Sequence, residues 1–204
     1  MPHPTARIAH PQKEALLACY QACTRLVPLD WRPEFILIGA AASIVHGSEL
    51  KTEDVDIAAS PRAIHRFEET VRGGAQRFRK GSDGNTEFDS DQGFPVKIEI
   101  LHLDGQFVDS VHVIEPCSLG FVASVPDLFC LRAVTVLGRG DPGDVADFKW
   151  LLESMMRGDG LLPSMSSERL AEVVAGAGAV GGVERLMVFL LLPRELWEAF
   201  LRLI

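Results

Sequence analysis

Apolar positions in this chain change their spacing several times, and each change predicts an element. Between residues 12 and 26, Ala15, Leu16, Cys19, Tyr20, Cys23 and Leu26 form a helical stripe, so this segment predicts an amphipathic helix. Pro28 and Pro33 bracket a turn. The apolar run 35–38 ends at Gly39, as a buried strand does. Residues 40–46 are small and helix-compatible, and 47–53 read as a polar loop. At 55–59 the pattern is that of a strand, with Asp54 and Asp56 alternating against Val55 and Ile57. Ser60-Pro61 then predicts a helix to about Arg72, Ser60 as N-cap and Pro61 at its first position. Gly73-Gly74 ends it.

Further on, 75–79 reads as a short strand. Residues 80–92 are rich in Gly, Asp, Asn and Ser and read as a turn or loop. A strand over 94–103 is followed by a turn at Asp104-Gly105, and 108–114 alternates like another strand. Helices are predicted at 126–137 and 144–156, around a 138–143 loop, with Asp144 as a candidate N-cap. A Gly/Pro linker at 157–165 precedes helical segments near 167–176, 183–191 and 194–203, broken by the Gly-rich 176–182. The division that follows is a flexible arm (1–10), an α/β domain (11–156) and a helical C-terminal cap (157–204). The phenylalanines, Met155-Met156, Trp150 and Trp197 read as core.

The chemistry sits on two of these strands. Asp54 and Asp56, two apart on a strand, point to one face. Like charges held that close call for a countercharge, and oxygen-only ligands suit Mg²⁺ or Mn²⁺. Glu99 is a lone carboxylate in the apolar strand Val96-Lys97-Ile98-Glu99-Ile100-Leu101. An acid pair plus a third acid on a neighbouring strand can form a two-metal phosphoryl-transfer site. Upstream, the N-terminus of the helix after Gly39 would present free N–H groups to a phosphate. Plainer readings stand beside these. The two Asp could be surface acids, and Glu99 a solvent-facing residue sharing its side with Lys97. His46 could cap or pack, Ser43 could pack, and Arg132 and Arg139 could be solvated.

Composition narrows the partners. Net charge is −8 and the pI about 5.2, which argues against broad, sequence-independent binding to nucleic acid. A single nucleotide or a tRNA end remains open. Hydrophobic content of 47% with 24% charged residues over 204 positions supports a sizeable core. Cys19, Cys23, Cys117 and Cys130 form no metal pattern and read as free thiols in a reducing compartment. The N-terminus lacks a signal-peptide pattern, and the apolar run 186–193 is too short to span a bilayer. The cytoplasm is the expected location.

Taken together, Gly39-Ala40, His46-Gly47, the run Lys51-Thr52-Glu53-Asp54-Val55-Asp56-Ile57 and Glu99 resemble the nucleotidyltransferase superfamily, with its DNA polymerase β-like fold. The small stand-alone members, of toxin or antibiotic type, are the nearest in pattern. A second block, Val125-Pro126-Asp127-Leu128 through Arg132, Arg139, Asp144 and Asp147, is similar to the helical segment after the catalytic sheet in these proteins. The chain departs from the family at Ala40 (Gly or Ser), Glu99 (Asp), Lys51 (Arg) and Arg132 (often Lys). The resemblance implies an α/β (α+β) fold, a mixed sheet flanked by helices with a C-terminal helical segment. It implies Asp54, Asp56 and Glu99 as catalytic metal ligands for Mg²⁺ or Mn²⁺. Gly39, Ala40, Ser43, Lys51, Thr52, Arg132 and Arg139 become nucleotide-binding candidates. The implied activity moves a nucleoside monophosphate from an NTP such as ATP to a hydroxyl-type acceptor: small molecule, protein or tRNA end. The alternative is a catalytically silent protein of the same fold that binds nucleotide or a partner.

Overall fold

The computed structural model describes residues 7–81, 84–103, 108, 111–118, 120–158 and 161–204. The chain divides into two compact units, Ala6–Ala123 and Ser124–Ile204.

In the first unit the order is α1 (His10–Arg25), β1 (Phe35–Ile38), α2 (Gly39–Val45), β2 (Asp54–Ala59), α3 (Pro61–Arg72), β3 (Phe78–Lys80), β4 (Thr86–Asp89), β5 (Pro95–His102), β6 (Ile114–Cys117) and β7 (Gly120–Ala123). The strands form a seven-stranded sheet, β3-β4-β5-β2-β1-β7-β6. β1 runs parallel to β7 and β2 parallel to β5, and the other pairs are antiparallel. This is a mixed α/β architecture, a mixed sheet flanked by helices.

Register sorts the side chains of β3, β4, β5 and β2 into two faces. On one face Val55, Ile57, Val96, Ile98 and Phe88 are all buried. α3 covers it through Phe67, whose ring meets Phe35 and Phe78, and Phe78 meets Phe88. On the other face Arg79 pairs in register with Glu87, Glu87 with Lys97, and Lys97 with Asp54. That face is charged and at least half-open. α1 buries its predicted stripe, including Ala15, Leu16, Cys19, Tyr20 and Cys23. It is pinned by Tyr20, whose hydroxyl donates to the Phe121 carbonyl at 2.5 Å and accepts the Phe121 N–H at 3.1 Å.

Several local expectations need correction. Residues 80–92 are not all loop, because β4 runs through them. Thr86 and Phe88 alternate inward and the strand is paired on both sides, but four residues amid turn-forming neighbours leave little periodicity to read. The described residues between 108 and 113 do not form the expected strand; 109 and 110 lie outside the description. Val108 makes an isolated bridge to Leu103, residues 111–113 lie outside any strand, and the pairing is made instead by the β6–β7 hairpin. The Asp104-Gly105 turn and most of the arm lie outside the described residues; Arg7 already bridges Leu50. Ser60 makes no side-chain cap bond. Its hydroxyl donates to Glu34 Oε2 at 2.6 Å instead.

The second unit contains α4 (Val125–Gly138), α5 (Pro142–Arg157), α6 (Ser167–Val180), α7 (Gly182–Leu191) and α8 (Trp197–Leu201). α4 packs on α5 and α6, with Phe129 against Phe148. A Cβ on Gly176 would lie 2.3 Å from the Ala133 carbonyl oxygen, so the α4–α6 crossing requires glycine there. The Gly-rich stretch therefore breaks the helix only at Gly181, not from 176. Because α4 and α5 pack with the C-terminal helices, the units divide at 123/124 rather than near 156. Asp144 is not an N-cap; α5 starts after Asp141, and Asp144 is buried in its first turn. Met155 is buried, but Met156 and Trp197 are exposed and Trp150 half-buried. Among the described residues no helix is long and apolar enough to cross a membrane.

Candidate functional site

The three acids singled out above project from one open face of the sheet. Asp56 and Glu99 are direct register partners on the parallel strands β2 and β5, and Asp54 pairs with Lys97. Direct partners share a face, so Asp54, Asp56, Lys97 and Glu99 all project from the same side. Asp54 and Asp56 are half-buried and Glu99 is exposed.

The two Asp carboxylates have different neighbours. Asp54 Oδ1 accepts a hydrogen bond from the Thr52 hydroxyl at 2.7 Å. Asp56 lies over the start of α2. A Cβ built on Gly39 would be 2.1 Å from Asp56 Oδ2, and Gly39 has φ +66°. Glycine is required there twice over, for the left-handed backbone and for the room that Asp56 occupies. β1, which ends at Ile38 just before Gly39, lies on one side of β2 and β5 on the other. Asp56 thus turns toward β1 while Glu99 stands on β5. Among the described residues no three His, Cys, Asp or Glu side chains are grouped closely enough to hold a metal ion. The backbone aligns the three positions on one face.

The neighbouring candidates fall into distinct settings. Ala40 follows Gly39 in α2 and is half-buried. Ser43 is fully buried, and its Oγ has no hydrogen-bond partner among the described residues. Lys51 is exposed and its Nζ bonds Glu53 at 2.6 Å. His46 reaches from the end of α2 to the Ala123 carbonyl, 2.9 Å away. One residue that sequence reasoning missed is Gln12, on α1. Its amide donates to the Thr52 carbonyl at 2.6 Å, and nothing in the helical pattern marks it. Gln12 also lines an open groove of about 510 Å³ with Leu16, Lys51, Glu53, Phe94 and Val96.

Arg132 and Arg139 belong to the helical unit. Arg132 is buried on α4, and its guanidinium holds Asp147 Oδ2 at 2.9 Å and Asp144 Oδ1 at 2.5 Å. Arg139 Nε donates to the other Asp144 oxygen at 2.7 Å. Asp147 Oδ1 is buried without a partner among the described residues. Planar, forked guanidinium geometry suits this bridging, and it ties α4 to α5. Burial displaces other groups. Burial pushes the Cys130 thiol up to about 12 and the Cys23 thiol well above its ordinary value. Burial likewise raises the Tyr20 hydroxyl to about 12.

Across 96% of its length the chain is similar to an antigenic nucleotidyltransferase-like protein from Paracoccidioides brasiliensis. The match covers 94% of that protein's crystal structure, with a TM-score of 0.58 and 12% sequence identity. The fold is nucleotidyltransferase-like. No protein-family model matches the chain, and no curated protein does. Within the nucleotidyltransferase-like sheet, Asp54, Asp56 and Glu99 offer oxygen donors only, from one face, two of them at directly paired positions. That donor chemistry fits a hard divalent cation, which would supply the positive charge that offsets repulsion among the carboxylates.

Proposed function

We infer that this chain is a metal-dependent nucleotidyltransferase that moves a nucleoside monophosphate from an NTP to a hydroxyl-type acceptor. The observation that carries this reading is the open sheet face, where Asp54 and Asp56 stand beside Glu99 and next to the Gly39 turn. The carboxylates of Asp54 and Asp56 would hold Mg²⁺ or Mn²⁺, with Glu99 completing the set. Bound there, the metal would neutralise the triphosphate and acidify the acceptor hydroxyl. Thr52 fixes the direction of Asp54. Glu99, exposed next to Asp56, is free to take the acceptor proton as general base. Gly39 leaves the approach to Asp56 clear of a side chain, and Ala40, Lys51 and Thr52 border the same end of β2. Catalysis would be positioning and charge compensation, with no covalent enzyme intermediate.

The acidic net charge favours a small molecule or a protein as acceptor over bulk nucleic acid. A small stand-alone enzyme of toxin or antibiotic type, acting in the cytoplasm, is the form this reading takes. A second reading is a catalytically silent binder. It is favoured by Ala40, which brings no hydroxyl to the phosphates, and by the lack, among the described residues, of three acids grouped closely enough for a metal.

Thermal melts with each NTP, with and without Mn²⁺, test binding, and mass spectrometry of candidate acceptors then tests transfer. Metal-dependent protection with a mass gain of one nucleoside monophosphate is the expected result. Protection without transfer to any acceptor supports the silent binder, and no protection by any NTP overturns both.

A further inference from the structure

Thr52 lies in the irregular segment before β2, where no strand pairing holds it. Its hydroxyl carries one proton, and that proton is directed at Asp54 Oδ1, 2.7 Å away. A hydroxyl can aim a carboxylate only as well as its own backbone is held. Here the backbone is held from another element, because Gln12 Nε2 donates to the Thr52 carbonyl at 2.6 Å. The amide orientation is unambiguous, since a carbonyl can only accept. Gln12 sits in the first turn of α1, which Tyr20 anchors to β7. A rigid helix thus reaches the carboxylate through two consecutive hydrogen bonds.

We propose that Gln12 is a positioning residue for Asp54, acting through Thr52 to aim its carboxylate at a divalent cation. The proposal rests on the metal reading of the open face given above. Hydrogen bonds that hold a metal ligand from behind orient it and raise affinity. Neither Gln12 nor Thr52 need touch the metal or the nucleotide for this. Gln12 is half-buried at the wall of the groove, so its replacement leaves the core of α1 untouched.

The experiment is a double-mutant cycle read by calorimetric titration of Mn²⁺ alone into the whole protein, with no nucleotide present. Gln12→Met keeps the length of the side chain and removes the donor; Thr52→Val keeps the shape and removes the hydroxyl. Each single variant is expected to weaken Mn²⁺ binding, Thr52→Val by roughly tenfold and Gln12→Met by a smaller factor. The decisive result is non-additivity. If Gln12 acts through Thr52, Gln12→Met adds nothing in the Thr52→Val background. Melting in EDTA should be nearly unchanged for Gln12→Met, and Gln12→Ala serves as a second variant should Met disturb the fold. Wild-type Mn²⁺ affinity in both Gln12 variants overturns the positioning role and leaves the metal reading standing. So does a Gln12 effect that multiplies in full with that of Thr52→Val. Absence of Mn²⁺ binding in the wild type, by contrast, overturns the metal reading itself, and the positioning role with it.

Discussion

The two units handle charge in opposite ways. In the helical unit Arg132 is buried together with Asp144 and Asp147, and every one of those charges has an opposite partner within 3 Å. On the sheet face Asp54, Asp56 and Glu99 are open to solvent to differing degrees, and the acids outnumber the cations. Burying charge demands compensation, because desolvation is not otherwise recovered. An exposed acidic face can leave compensation to something that binds. The first arrangement is a structural tie between helices, and the second is the face proposed here as a site. The same contrast separates the arginines from the acids proposed for one function. Arg132, read from sequence as a nucleotide contact, has its fork committed to two carboxylates.

The largest expected effect breaks the compensated cluster. Arg132→Ala leaves Asp147 buried without the guanidinium that holds it and should cost about 3–5 kcal/mol. In a chain of this size that is a fall in Tm of roughly 10 °C, measurable by differential scanning calorimetry. A loss under about 1 kcal/mol would mean that the cluster opens to water and that burial is not what distinguishes it.

Next comes Gly39→Ala. The left-handed backbone and the 2.1 Å approach of the new Cβ to Asp56 Oδ2 predict a loss of about 1–3 kcal/mol. Adding Asp56→Ala should restore part of it, because the clash goes and the backbone strain stays. Equal stability of the single and double variants would show that Asp56 simply swings aside.

Asp56→Asn probes the open face. Removing one like charge should leave stability unchanged or raise it by up to about 1 kcal/mol, while Mn²⁺-dependent protection by NTP disappears. A marked loss of stability would instead make Asp56 a structural residue of the Gly39 turn.

The smallest effect is a pH profile of buried neutral groups. Cys130, ordinarily 9.0 and here about 12, and Tyr20, ordinarily 10.0 and here about 12, are raised by burial. A raised acid keeps its proton in the folded state after the unfolded chain has lost it. The stability it contributes is thus complete below pH 9 and declines as pH climbs from 9 toward 12. Urea melts at pH 8, 9.5 and 11 should show that order. At pH 8 the half-buried Cys117 should react with a thiol reagent before the buried Cys19, Cys23 and Cys130. Prompt reaction of Cys130 would mean that α4 is open on the reagent's timescale.

Much of the sheet unit was legible in the chain itself. The stripe of α1, the run before Gly39, the acids alternating with Val55 and Ile57, and the Ser60-Pro61 helix start all follow from local rules of period and backbone shape. Those rules act within a few residues, so the sequence by itself determined which element carries each acid and which residues share its face. It was silent where elements are short or depend on distant partners, as with β4, β7 and the straight run of α6 through Gly176. Only the tertiary structure decided that β5 lies beside β2, so that Glu99 stands opposite Asp56. It alone turned Asp56 onto Gly39, reached Thr52 from Gln12, and buried Arg132 between two carboxylates. Strand order and charge pairing are settled by contacts between residues far apart in the chain, and local periodicity carries no information about them.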